Sequence, residues 1–100
     1  METQSLIPRL VAEFGYPEKG AKLVADKLVS SAPEIQSTFL IWWQNGEIMD
    51  LAVEGYTVSQ LMAEHQMNPV AAFLTLDWLK REPEAARISL AKGHDRLVQR

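Results

Sequence analysis

Apolar residues recur at helical spacing along most of the chain, and proline, glycine and asparagine interrupt that spacing at regular intervals. Leu6, Ile7, Leu10, Val11 and Phe14 form the first stripe, which Gly15 stops. Pro8 is then expected in the first turn of this helix, with Ser5 or Thr3 as its cap. Pro17 opens the next segment. There Ala21, Val24, Ala25 and Leu28 follow an i, i+3, i+4, i+7 pattern, while Lys19, Lys22, Asp26 and Lys27 take the other side. Pro33 opens a third helix, and Asn45-Gly46 supplies the residues a left-handed C-terminal cap requires.

Residues 47–56 fit neither the helical nor the strand period, and both a short extended piece and a single helical turn suit them. Beyond them, Thr57-Val58-Ser59-Gln60 has the form of a capping box, with Val58, Leu61 and Met62 as the buried side of a short helix. Asn68-Pro69 pairs an N-cap with proline at the first helical position. The helix it starts runs to about Arg81, where Pro83 stops it and opens another. Glu84 to Lys92 reads as a helix closed by Gly93, with Asp95 as a further cap. A hairpin turning at Lys92–Asp95 into Arg96–Val98 is the alternative for this end.

The expected fold is therefore all-α, a compact single-domain bundle of five or six short helices over residues 1–100. Its expected core comprises Leu10, Phe14, Val24, Leu28, Ile35, Phe39, Trp42, Leu61, Val70, Phe73, Leu74 and Leu76.

The segment 57–81 (Thr-Val-Ser-Gln-Leu-Met-Ala-Glu-His, then Gln-Met-Asn, then Pro-Val-Ala-Ala-Phe-Leu-Thr-Leu-Asp-Trp-Leu-Lys-Arg) resembles the helix-turn-helix unit of small bacterial regulators, winged-helix domains included. The resemblance covers about a quarter of the chain and rests on caps and apolar positions. It implies that the helix from Pro69 would read DNA, with the basic end, Lys80, Arg81, Arg87, Lys92 and Arg96, as nucleic-acid contacts. The composition of that helix argues otherwise. Its apolar residues spread around nearly the whole circumference, and only Thr75, Asp77, Lys80 and Arg81 are polar. A helix apolar all round is a buried helix, and base readers present polar side chains near the N-terminus. Nucleic acid is the disfavoured partner.

The widest apolar surface lies on the third helix. Trp42 aligns with Ile35 and Phe39, Trp43 stands about 100° from Trp42, and Leu40 and Ile41 widen the stripe on either side. Leu40, Ile41, Trp43 and Trp78 are the expected contact surface for a second copy of this chain, as a homodimer, or for another protein, since Trp is enriched at interfaces. The competing reading is that neighbouring helices cover this stripe completely.

Composition narrows the chemistry. A 47% hydrophobic and 23% charged chain is ordinary globular composition. It holds no cysteine, which removes disulfides, thiolate metal sites and cysteine nucleophiles and points to a cytoplasmic setting. No uninterrupted apolar run is longer than that from Phe39 to Trp43, far below the ~20 residues of a membrane span, so no membrane partner is expected. The net charge of −3 is uneven: residues 1–79 carry four basic residues against ten carboxylates, and residues 80–100 carry six against three. A basic end can meet phosphate or an acidic partner, and it equally complements the dipole of a C-terminal helix. His65 and His94 lack the convergent neighbours of a metal site, and Asp50 and Glu54, which would share a helical face at i, i+4, read as solvated. No phosphate-binding glycine loop, zinc-protease motif, nucleophile elbow or EF-hand loop occurs, so no enzyme activity and no cofactor are expected.

Overall fold

The structure is a computed structural model that describes residues 2–99, with side chains over 2–92. Among these residues the chain forms six helices: α1 (Thr3–Phe14), α2 (Glu18–Val29), α3 (Pro33–Asn45), α4 (Val58–His65), α5 (Pro69–Arg81) and α6 (Pro83–Gln99). The fold is all-α, and no described helix is long and apolar enough to cross a membrane.

Most helix ends follow from local backbone chemistry. Gly15 and Gly46 adopt the left-handed conformation after α1 and α3, and Gly46 donates its N–H to the Trp42 carbonyl. Thr57 Oγ1 accepts the Gln60 N–H at 3.1 Å to start α4, and Asn68 Oδ1 accepts the Ala71 N–H at 2.8 Å to start α5. Two ends differ from the sequence reading. Helix α1 begins early enough to place Pro8 in its second turn, and neither Thr3 nor Ser5 accepts a capping bond. Pro8 brings no N–H to the Gln4 carbonyl, a loss that the exposed position of Gln4 leaves to solvent. Helix α6 runs through Gly93 to Gln99, so Gly93 does not close it and the hairpin alternative does not form. An interior glycine costs a helix about 1 kcal/mol and does not by itself break it.

Helix α5 occupies the centre, packing on α2, α3, α4 and α6, while α1 and α2 pair as an antiparallel hairpin. Position explains its composition: Val70, Ala72, Phe73, Leu76, Asp77 and Leu79 are all buried. Around Phe73 the aromatic rings of three helices meet. Phe39 contacts it edge-on at 5.4 Å and Trp42 at 5.8 Å, and Phe14 reaches Trp42 at 5.7 Å. Leu6, Ala21, Ala25, Val58, Ala86 and Leu90 join the buried set, whereas Phe14, Val24 and Leu74, expected inside, are half-buried.

Residues 47–56 form no helical turn and no strand, only a tight turn closed by one isolated β-bridge. Val53 and Tyr56 exchange backbone hydrogen bonds at 2.8 and 2.9 Å around Glu54 and Gly55, both at positive φ. Positive φ at both central residues is the mark of a type I′ turn. Asp50 and Glu54 consequently share no helical face. Asp50 accepts the Ser59 hydroxyl at 2.7 Å, and Glu54 pairs with Arg87 of α6. The connection is thereby tied to α4 and α6 at once.

Candidate functional site

Burial at α5 is broken at one polar side chain. Asp77 is 5% exposed, and its two oxygens are both engaged: Oδ1 accepts the Ala32 N–H at 3.0 Å and Oδ2 accepts Arg81 Nε at 2.8 Å. Ala32 is the N-cap of α3, whose first N–H groups have no partner within the helix, so the carboxylate sits where a helix dipole favours negative charge. Gln36 holds the same corner from the other side, donating to the carbonyls of Val29 and Ser31 at 2.8 and 2.9 Å. The sequence reads Asp77 as one of only four polar residues on α5 and assigns it no partner. In the fold it is an internal strut between α5 and the start of α3.

Outside this strut lies an open groove of about 400 Å³, lined by Lys27 of α2, by Leu74, Thr75, Asp77, Trp78 and Arg81 of α5, and by Glu82. Leu74 and Trp78 are half-buried, with the Trp78 Nε1–H held by Glu82 Oε1 at 3.1 Å. The groove therefore combines an indole with two cations, Lys27 from the last turn of α2 and Arg81 from the last turn of α5. It brings together Trp78 and Arg81, which the sequence placed in two different candidate surfaces. Lys27 was absent from both, because its face of α2 read as solvated.

The other expected contact residues are placed differently. Leu40 and Ile41 are half-buried, and so is Trp43, whose ring packs near Phe14 at 6.2 Å and Phe39 at 5.3 Å, both roughly parallel to it. The Arg9 guanidinium covers Trp43 at 4.2 Å from the ring centroid, donates to the Trp43 carbonyl and pairs with Glu13. Much of the apolar edge expected at Trp43 is thus taken up within the chain. Large apolar side chains are instead most exposed at Leu23, Met49 and Ile88, on α2, the connection and α6.

Comparison with protein families, curated proteins and solved structures finds no match.

Three of the five basic residues expected to contact nucleic acid are engaged within the fold. Lys80 pairs with Glu34, Arg81 with Asp77 and Arg87 with Glu54. The Glu34 carboxyl is held below its ordinary range by the hydrogen bond from Lys80 and by its own backbone N–H at the start of α3, against a smaller opposing effect of desolvation. Lys92 is exposed and makes no ion pair among the described residues, and the Arg96 side chain lies outside them, as does that of His94. His65 is half-buried with its ring 6.3 Å from that of Tyr56. Among the described residues no three His, Asp or Glu side chains converge in a way that could hold a metal ion.

Proposed function

We propose that this chain is a protein-interaction module, working in the cytoplasm, that docks another protein or a second copy of itself through the groove at Trp78. One observation carries the reading: a half-buried indole, its Nε1–H bonded to Glu82, lines an open groove of about 400 Å³ beside an arginine. Tryptophan is among the side chains that most often dominate binding energy when a partner excludes water from them, and Arg81, although bonded to Asp77, keeps more than half of its side chain exposed beside it. The contact surface is accordingly centred on Trp78, with Leu74, Arg81 and Lys27, rather than on Leu40, Ile41 and Trp43.

A DNA-binding regulator is the weaker reading. Three of its proposed contacts spend their charge on carboxylates of the same chain, and the first turns of α5 offer Val70, Ala72 and Phe73 to the core instead of polar side chains to bases.

The test is Trp78→Ser against wild type, with helicity followed by circular dichroism. Light scattering after size exclusion at several concentrations reads self-association. Selection from a displayed peptide library reads binding to other chains. A dimer that the folded variant loses, or selected peptides that it no longer binds, supports the module. A wild type that is monomeric throughout and selects no peptide sensitive to Trp78 overturns it. Trp43→Glu is a poorer probe, since it would place a carboxylate beside Phe14 and Phe39 and disturb the fold itself.

A further inference from the structure

We draw no further inference here: the strongest candidate beyond the Trp78 groove, the open cleft of about 520 Å³ between the start of α3, the turn at residues 51–54 and the end of α5, carries nothing because its carboxylates Glu34 and Glu54 are already paired with Lys80 and Arg87 and nothing in the structure shows what covers it.

Discussion

The carboxylate of Asp77, buried in the central helix, accepts the backbone N–H of Ala32 at 3.0 Å and thereby joins α5 to the N-cap of α3. The bond answers two needs at once. It gives a partner to an N–H that α3 cannot satisfy internally, and with Arg81 it gives the buried charge a complete set of donors.

Replacing Asp77 by alanine should therefore destabilise the fold by about 2–3 kcal/mol, the cost of removing a charged partner from a buried N–H. Asp77→Asn keeps an acceptor for Ala32 but turns its amide N–H2 toward the Arg81 Nε–H, so it should cost less than alanine while losing the Arg81 bond. Urea denaturation of both variants measures the difference, and equal costs would show that the N–H bond is not what matters.

Phe73 is fully buried where the rings of Phe39 and Trp42 converge, so Phe73→Ala should cost roughly 3–5 kcal/mol. A near-neutral midpoint in chemical denaturation would mean that the cluster repacks around the lost ring, against the geometry described.

Arg9→Met removes the cation from the face of Trp43 and the donor from its carbonyl, at the C-terminal end of α3. We expect a loss of about 1 kcal/mol, in the range of a single exposed cation–π contact. Tryptophan emission should change with it, read in a background where Trp42 and Trp78 are phenylalanine. Unaltered emission would show that Arg9 does not cover the ring in solution.

Glu34 is held below its ordinary value by Lys80, so the stability it contributes should be present above the ordinary glutamate range and lost as pH falls through the lowered folded value. In the Lys80→Met protein the Glu34 carboxyl should titrate closer to its ordinary value, and the loss of stability on acidification should be shallower. Carboxyl NMR titration of the two proteins checks this directly. An identical Glu34 titration in both would remove Lys80 as the cause.

The helix order was readable because its signals are local. Pro33, Asn68-Pro69 and Pro83 start helices, and Gly15 and Gly46 end them, through bonds and dihedral angles within one turn of the residue concerned. Pro8 and Gly93 were misread for the same physical reason in reverse: each weakens a helix, and the remaining contacts of α1 and α6 outweigh the weakness. The apolar circumference of α5 likewise announced a central helix before any packing was known.

The groove was only half legible. Trp78 and Arg81 stood out by residue type, but Lys27 joins them only because α2 packs against α5. The contact surface expected at Trp43 failed to account for Arg9, which lies 34 positions away along the chain.

Sequence alone determined where most of the helices start and stop and that α5 is a buried helix, because capping, proline geometry and apolar periodicity act over a few neighbouring residues. The tertiary structure decided which polar groups are paired inside the fold and which apolar side chains stay exposed. Asp77 meets Ala32 across 45 positions and Arg87 meets Glu54 across 33, pairings that exist only once the helices have packed. Charge and burial at these sites belong to the neighbours that packing supplies, and no local pattern encodes them.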